Sequence, residues 1–324
     1  MTASKLKLTV PSELEGERLD IFCARKVEDR TRSYFTKLAS SGNILIDGST
    51  AKASTKVKTG MKVEIELTSP PPLQAKPEDI PLNIIYEDNR IAVVNKPPGM
   101  VVHPAAGNYE GTLVNALLYH FGKESLNDID PVRLGLVHRL DKDTSGLLII
   151  AKDEQALVYL QKELAERNIK RIYYALVWGN LDNKKGIINL AIGRSPKDRK
   201  KMSVNTRRGK EAVTEYEVLE YYKFFSLLKV KLQTGRTHQI RVHLSHFGHP
   251  VVGDSTYGGR STYLRRFDRK DRTVLTPLMS ILDRQALHAK ELTITHPDDK
   301  REIKFVSELP EDFSDGVNFV KSLE

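Results

Sequence analysis

The residues best suited to chemistry stand where a polar segment meets an apolar one. Residues 138–146 read HRLDKDTSG and residues 147–151 read LLIIA, the composition of a strand that is buried on both faces. A side chain at the end of such a strand is held rigidly, as a reaction centre requires. The segment therefore predicts a reactive group at the mouth of the core.

The candidate for that group is Asp141. A single ionised carboxylate can act as a general base or as a nucleophile, provided that a neighbouring arginine keeps it charged. Arg139 lies two residues away, and Arg236 lies in a second segment rich in Gly, His and Arg, residues 233–259. Either arginine could pair with Asp141. Asp143 is interpreted as a turn residue.

A metal site is the alternative chemistry. Asp141 and Asp143 could supply oxygen ligands, and His243, His246 and His249 follow at three-residue spacing. Helical positions at that spacing drift around the axis, and the glycine and proline near the last histidine interrupt a helix. The sequence therefore predicts no metal site, and a metal-dependent hydrolase that uses these five residues is kept as a competing interpretation.

The bulk composition limits the class of protein. The chain has 324 residues, enough for two domains, with a net charge of +9 and a single cysteine, Cys23. One cysteine excludes an internal disulfide, and no run reaches the 18 apolar residues of a membrane helix. The first residues lack the apolar block of a secretion signal. We expect a cytoplasmic protein that has no membrane association and contacts a polyanion.

The first of the two domains is predicted at residues 1–68. Apolar positions at helical spacing predict two short helices, and Asp47-Gly48 predicts a tight turn between two strands. Arg30, Arg32 and Lys37 lie on or beside the helices and would suit RNA phosphates. A plain small domain with solvated helix faces is the alternative.

The remainder of the chain predicts a larger α+β domain. Residues 69–83 contain five prolines and are interpreted as a stiff linker. Residues 84–310 alternate strand and helix patterns unevenly, which predicts a mixed, largely antiparallel sheet. Helices are clearest at 112–121 and 154–168, the second with Asp153 as its N-cap. Residues 311–324 are interpreted as a C-terminal tail.

The most basic stretch of the chain is residues 194–210. It contains eight Lys or Arg and one Asp, so it could contact phosphates, or it could be a solvated loop. The residues that we assign to RNA binding here are Arg194, Lys197, Lys200, Lys201, Arg207 and Arg208.

Four segments in a fixed order resemble the RluA family of pseudouridine synthases. They are HRLDKDTSGLLIIAK at 138–152, RIYYALVWG at 171–179, TGRTHQIRVHLSHFGHPVVGD at 234–254 and RQALHAKELTITHP at 284–297. The resemblance covers roughly residues 80–308. Residues 18–48, with Arg18-Leu19-Asp20 and the final Asp47-Gly48, resemble the S4 RNA-binding domain. Thr31 stands where that family more often has serine, and Asp47 where asparagine is commoner.

The resemblance implies a pseudouridine synthase fold preceded by an S4 domain of the α-L type. It assigns catalysis to Asp141, Tyr173 and Arg236, with Arg236 as the cation that pairs with the aspartate. It also implies that Arg139 enters the RNA helix when the target base leaves. His138 and Thr144, in the same motif, are expected to contact the substrate.

The chemistry that the resemblance implies is the isomerisation of uridine to pseudouridine. The base is extracted from its stack, its N1 bond to the sugar breaks, and it is rejoined through C5. No group is transferred and no redox step occurs, so neither cofactor nor metal is expected. Within the family, the chain most resembles the enzymes that modify the helix-69 stem-loop of large-subunit rRNA, so the expected partner is 23S rRNA or a pre-50S particle. A monomer is expected.

A third class of protein is also kept as an alternative. The chain could be an RNA-binding factor of the S4 type with an inactive catalytic domain. An altered Asp141 or Tyr173 would indicate that class, and both positions retain the residue that the family motif has.

Overall fold

The computed structural model describes residues 4–27, 32–67, 75–104, 108–122, 135–198, 201–204 and 206–324. The chain divides into two compact units, residues 1–73 and 74–324. Each helix of the described residues falls short of the length and apolar character that a membrane crossing requires.

The first unit contains two helices and a four-stranded antiparallel sheet of strand order β1-β4-β2-β3. Its elements are β1 (Ser4–Thr9), a 3-10 turn (Ser12–Leu14), α1 (Leu19–Lys26), α2 (Arg32–Ser40), β2 (Ile44–Ile46), β3 (Ser49–Thr50) and β4 (Lys62–Leu67). The two predicted helices and the predicted hairpin are present. Asp47 and Gly48 both adopt positive φ, 49° and 79°, as a tight hairpin turn requires.

A buried carboxylate joins the two helices of the first unit. Asp20, on α1, is 1% exposed. It accepts hydrogen bonds from Arg18 Nε at 3.0 Å, Arg32 Nε at 2.8 Å and Thr36 Oγ1 at 3.3 Å. Burial by itself would raise the pKa of Asp20, but the two guanidinium groups outweigh burial and lower that pKa to about 2.

The second unit is built on one nine-stranded sheet and a small two-stranded sheet. Its strands are β5 (Ile84–Glu87), β6 (Ile91–Lys96), β7 (Ser145–Ala151), β8 (Lys170–Trp178), β9 (Lys185–Asn189), β10 (Ile192–Arg194), β11 (Met202–Val204), β12 (Val213–Tyr222), β13 (Phe225–Leu232), β14 (Leu287–Thr295) and β15 (Glu302–Val306). Its helices are α3 (Leu113–Phe121), α4 (Glu154–Ala165), α5 (Gln239–His246), α6 (Ser261–Leu264), α7 (Arg269–Leu275), α8 (Leu278–Ile281) and α9 (Glu311–Lys321). Asp153 caps α4, as predicted, by accepting from the Ala156 N–H.

The large sheet has the order β5-β6-β7-β14-β8-β13-β12-β9, with β15 beside β14. Only the β7–β14 pairing is parallel among the described strands, so the prediction of a mixed, largely antiparallel sheet is confirmed. All seven residues of β7 are buried. The apolar run that follows the polar segment is therefore a central strand covered on both faces.

A glycine permits the parallel pairing directly after the polar segment. Gly146 has φ +112°, and a Cβ atom there would lie 2.4 Å from the backbone oxygen of Ala289 on β14. Any side chain at this position would push β7 and β14 apart. The TSG of the motif thus includes a residue that is needed for close backbone approach.

Two segments outside the predicted catalytic domain take part in the second unit. Ala75 belongs to its core, and Asn115 of α3 donates to the backbone oxygen of Lys76. Residues 311–324, interpreted as a tail, instead begin with α9, whose Phe313 and Val320 are fully buried. The sequence interpretation missed this helix because a Gly and several polar residues interrupt its apolar pattern.

Candidate active site

Asp141 lies in the loop that precedes β7, and its carboxylate is bound by an arginine. The partner is Arg241 of α5, whose Nη1 lies 2.9 Å from Asp141 Oδ2. The sequence interpretation assigned this contact to Arg236, and that assignment is wrong. Arg236 instead donates through Nε to the backbone oxygen of Glu211, at 2.9 Å, and is exposed on the wall of the same cavity.

A second carboxylate orients Arg241. Asp254 is fully buried and accepts from Arg241 Nε at 2.6 Å and from Nη2 at 3.0 Å. Burial by itself would lower the pKa of Arg241, but Asp254 and Asp141 outweigh burial and hold this pKa above its ordinary value. Arg241 is therefore a permanent cation with a fixed direction.

A histidine faces the other oxygen of the same carboxylate. His238 Nε2 lies 3.8 Å from Asp141 Oδ1, beyond direct hydrogen-bond range. Its Nδ1 lies 2.8 Å from the hydroxyl of Tyr257, and that hydroxyl accepts from the Met202 N–H. His238 has φ +56°, an uncommon conformation for a residue other than glycine. Burial is the main cause of a lowered His238 pKa, so this imidazole is neutral at pH 7.

Two buried cations hold the backbone of the loop that carries Asp141. Lys96, on β6, is fully buried and donates to the carbonyl oxygens of Lys142, Pro97 and Met100 at 2.9, 2.7 and 3.0 Å. Burial lowers the pKa of Lys96 to about 7, although Asp143 opposes that shift. The loop is thus attached to the core through its main chain, which leaves the Asp141 side chain free to face the cavity.

The second cation is Arg284, which precedes β14. Its Nη1 donates to the Asp143 carbonyl at 2.9 Å. Its Nε and Nη2 bind the two carboxylate oxygens of Asp312 on α9, at 2.6 and 2.8 Å. The helix at residues 311–321 thereby supports the loop from behind. Asp143 meets this network with its backbone, in agreement with the turn role expected for it.

These groups surround a cavity of about 510 Å³. Its walls come from the loop before β7, from α4, from β8 and from the start of α5. Asp141, Tyr173, Arg139, His138, Thr144 and Arg236, all predicted from the sequence, line it together with Arg241, His238 and Arg171, which were not. The volume lies in the range of small-molecule sites, and a nucleotide is of that size.

The predicted substrate contacts differ in their exposure. Arg139 is exposed, whereas Thr144 is 2% exposed and accepts from the Gln285 amide. Tyr173 is 4% exposed, and burial raises the pKa of its phenol. Tyr173 is therefore neutral at pH 7 and presents an aromatic ring to the cavity.

The histidines of the alternative metal site do not converge. His243 is fully buried, and its ring nitrogens lie 2.9 Å from Thr214 Oγ1 and 3.0 Å from the Leu190 oxygen. His249 Nδ1 lies 2.9 Å from the Trp178 oxygen. Among the residues that the structure describes, no three His, Cys, Asp or Glu side chains form a group that could hold a metal ion.

The predicted RNA contacts are only partly described. Arg30, Lys200 and the side chain of Lys37 lie outside the described residues. Arg32 pairs with Asp20 through its Nε atom, and the Arg32 side chain is half-exposed. The side chains of Arg194, Lys197, Arg207 and Arg208 are exposed, and that of Lys201 is half-buried.

Comparison with known proteins finds similarity to RNA pseudouridine synthases over almost the whole chain. A model of the RNA pseudouridylate synthase family matches residues 90–246, and a model of the S4 domain matches residues 17–63. A protein of Aquifex aeolicus named uncharacterized RNA pseudouridine synthase is 45% identical over 306 residues, 93% of each chain. Ribosomal large subunit pseudouridine synthase D of Pseudomonas aeruginosa is 43% identical over 305 residues, 94% of this chain and 92% of its own.

The fold has solved counterparts as well. The structure of human RNA pseudouridylate synthase domain containing 4 is similar, with a TM-score of 0.57 and 26% identity, over 74% of this chain and 93% of the human one. These similarities support the pseudouridine synthase fold and the S4 domain that the sequence motifs predicted.

Proposed function

Because the chain belongs to the RNA pseudouridylate synthase family, we propose that it converts specific uridines of large-subunit ribosomal RNA to pseudouridine. The reaction type follows from the family. The choice of RNA is supported by the relatives that are named ribosomal large subunit pseudouridine synthase D and by the S4 domain. The substrate would be 23S rRNA, free or in a pre-50S particle, met in the cytoplasm by a monomer.

One observation carries the mechanism: a carboxylate on the cavity wall is held by a fixed cation, with Arg241 Nη1 at 2.9 Å from Asp141 Oδ2. Only one oxygen is occupied by this bond, so the other can face a substrate. An ionised carboxylate in that position can attack the sugar or the base, or accept a sugar proton. We assign the reaction to Asp141, with Arg241 in place of Arg236 as its cation.

The target base must leave its stack before it reaches Asp141. Unstacking costs a few kcal/mol and is offset by contacts inside the pocket. Exposed Arg139 is placed to occupy the space that the base leaves, and the ring of Tyr173 offers a stacking face. His138 and Thr144 complete the wall on the side of the loop.

The test is to assay the purified full-length protein on rRNA transcripts and to map pseudouridine by sequencing. Asp141→Asn keeps the shape of the side chain and removes its charge, so we expect no detectable product, with RNA affinity retained. Asp143→Asn is the matched control, because its backbone carbonyl carries the contact to Arg284 and remains in place. It should retain most activity.

Mapping rRNA from a deletion strain identifies the natural target. Uridines that lose modification in the strain, and regain it with the wild-type gene but not with Asp141→Asn, are the substrates. Pseudouridine formation by Asp141→Asn would contradict the mechanism that we assign to Asp141. If the pseudouridines of large-subunit rRNA are the same in the deletion strain as in the wild type, the assignment of this RNA as the substrate is wrong. Activity that is lost with a chelator and restored by a metal ion would instead favour a metal-dependent enzyme.

A further inference from the structure

The deep wall of the cavity contains an arginine that the mechanism above does not use. Arg171 lies on β8, two residues before Tyr173, so both side chains point to the same face of the strand. Both line the cavity, and Arg171 is only 7% exposed. A charged guanidinium is thus built into the inner part of the substrate site.

Arg171 has no partner among the residues that the structure describes. Its Nε is buried with no hydrogen-bond acceptor. Among the described residues, no carboxylate lies within ion-pair distance of the Arg171 guanidinium. The other buried arginines of this unit behave differently, because Arg241 and Arg284 each bind an aspartate through two nitrogens. A buried charge without a partner is costly, which indicates that a ligand supplies the missing anion.

The neighbours of Arg171 leave its charge uncompensated. His138 lies beside it with both ring nitrogens buried and unpartnered. Burial, reinforced by the Arg171 charge, lowers the pKa of His138 to about 3, so this imidazole is neutral and can offer one donor and one acceptor. Gly235 also lies close to the guanidinium, because a Cβ atom there would be 2.9 Å from Arg171 Nη1. The glycine leaves the space that the guanidinium occupies.

The reaction itself produces an anion at this depth. When the bond between N1 of uracil and C1′ of the sugar breaks, both electrons remain on the base. The base becomes a uracil anion, with its charge shared among N1, O2 and O4. In the function proposed above, the target base enters the cavity while the phosphates of the RNA backbone stay outside it.

We infer that Arg171 binds the detached uracil, pairing its guanidinium with the anion while the base turns, and that His138 donates to or accepts from the same base. The inference rests on the function proposed above. The balance is complete without another reactant. Asp141 compensates the electron deficiency that bond cleavage leaves at C1′ of the sugar, either by bonding to C1′ or by taking the 2′ proton. C5 then bonds to C1′ and loses its proton, N1 gains one, and Asp141 is released unchanged.

The test uses the full-length protein with Arg171→Met, which removes the charge, and Arg171→Lys, which retains it. Lys170→Met is the matched control, because Lys170 is the preceding residue of β8, is 53% exposed and pairs with Glu302. The quantity measured is the single-turnover rate at which the target nucleoside disappears, in one RNA that carries either uridine or 5-fluorouridine at the target position. Disappearance is used because C5 of the fluorinated base has no proton to lose, so that substrate cannot yield pseudouridine. Fluorine withdraws electrons, so fluorouracil needs less help to leave.

For uridine RNA we expect Arg171→Met to lower the single-turnover rate about 10²–10³-fold, the effect of removing one preorganised donor from a developing anion. The loss should be about tenfold smaller with the fluorinated RNA, because part of the missing stabilisation is built into the base. Arg171→Lys should recover a large share of the uridine rate, and Lys170→Met should match the wild type. If the role of Arg171 is purely structural, Arg171→Met should lower the single-turnover rates on both substrates by the same factor.

Three results would overturn the inference. One is an equal loss on uridine and fluorouridine RNA. Another is an Arg171→Met rate close to that of Lys170→Met. The last is a slope of log RNA affinity against log salt concentration that is flatter by about one unit in Arg171→Met than in the wild type. That result would mean that Arg171 contacts a phosphate. If the wild type forms no pseudouridine, the proposed function fails instead, so the two failures are distinguishable.

Discussion

Arg241 and Asp254 form a two-point ion pair in which Nε and Nη2 of the guanidinium bind the two oxygens of a fully buried carboxylate. The remaining nitrogen, Nη1, points to Asp141. Because a planar guanidinium gripped at two points cannot rotate, Asp254 determines where the cation meets the carboxylate that we assign to chemistry.

Asp254→Asn should therefore reduce catalysis without removing any group that touches the substrate. One oxygen of the pair becomes an amide nitrogen, which repels the guanidinium N–H groups and lets Arg241 shift. A displacement of about 1 Å at a reacting group costs on the order of 10²-fold in rate. The single-turnover rate should fall by that amount while RNA affinity changes little.

The control is Asp283→Asn, an exposed aspartate whose side chain makes no contact that the structure describes. It should behave as the wild type. If Asp254→Asn retains the full rate, or loses RNA affinity in proportion to rate, Asp254 does not orient the catalytic pair.

The contact from Arg284 to Asp312 predicts that α9 affects both stability and rate. Asp312→Ala leaves Arg284 buried without its carboxylate. Removing one partner of a buried pair costs about 3–5 kcal/mol, and since Asp312 is 29% exposed we expect about 2–3 kcal/mol. The rate should fall too, because Arg284 also holds the Asp143 carbonyl.

Urea unfolding and single-turnover rates measure the two effects together. Asp315→Ala, on the exposed side of the same helix, should change neither. A destabilised Asp312→Ala protein with a normal rate would separate α9 from the loop that carries Asp141.

The Asp20 network predicts acid sensitivity in the first unit. Asp20 has a folded-state pKa of about 2, against about 3.9 in an unfolded chain. The native state therefore binds fewer protons than the unfolded state between these values. The stabilisation is complete above about pH 4 and is lost as the pH falls toward 2, and it amounts to about 1–2 kcal/mol because Arg18 and Arg32 are half-exposed.

Hydrogen exchange of the backbone of α1 and α2 in the full-length protein tests this from pH 5 downward. Protection in the wild type should fall with acid and approach that of Asp20→Asn, which should be less protected at neutral pH and less dependent on acid. Parallel curves for the two proteins would mean that the carboxylate charge contributes nothing there.

The exposed basic residues predict the salt dependence of RNA binding. Each phosphate contact lowers the logarithm of affinity by about 0.7–0.9 for each unit of log salt concentration. Arg207→Ala with Arg208→Ala should therefore flatten the slope by about 1–2 units. The rate at saturating RNA should not change, because neither residue lines the cavity.

Lys170→Ala with Lys304→Ala is the comparison, since each lysine is already paired with a glutamate. That double variant should have the wild-type slope. Equal slopes in all three proteins would mean that the segment at 194–210 serves solubility rather than RNA binding.

The sequence predicted the elements and the loop but not every contact between them. Asp141 could be placed because it sits beside a strongly apolar strand pattern, whereas Tyr173 was assigned by the resemblance to the RluA family. Arg236 and Arg241 stand in one motif five residues apart, and the choice between them depends on where α5 begins. That start, at Gln239, places Arg241 on the buried face of α5 and leaves Arg236 in the loop before the helix, on the exposed wall of the cavity.

The supports of the loop could not be inferred from local patterns. Lys96, Arg284 and Asp312 come from three separate segments, and each is an ordinary charged residue in its own neighbourhood. A buried lysine inside a strand pattern is the one signal that was available, because such a residue needs partners. Which carbonyls it would bind depends on tertiary packing alone.

The order of these segments along the chain also has a consequence during protein synthesis. Asp143 is made 141 residues before Arg284, and Arg284 precedes Asp312 by 28 more. At about 5–20 residues per second, the loop leaves the ribosome on the order of ten seconds before the groups that hold it. A nascent chain with β7 already formed would therefore carry a catalytic aspartate without the geometry to use it, and activity would begin only after Asp312 had been made.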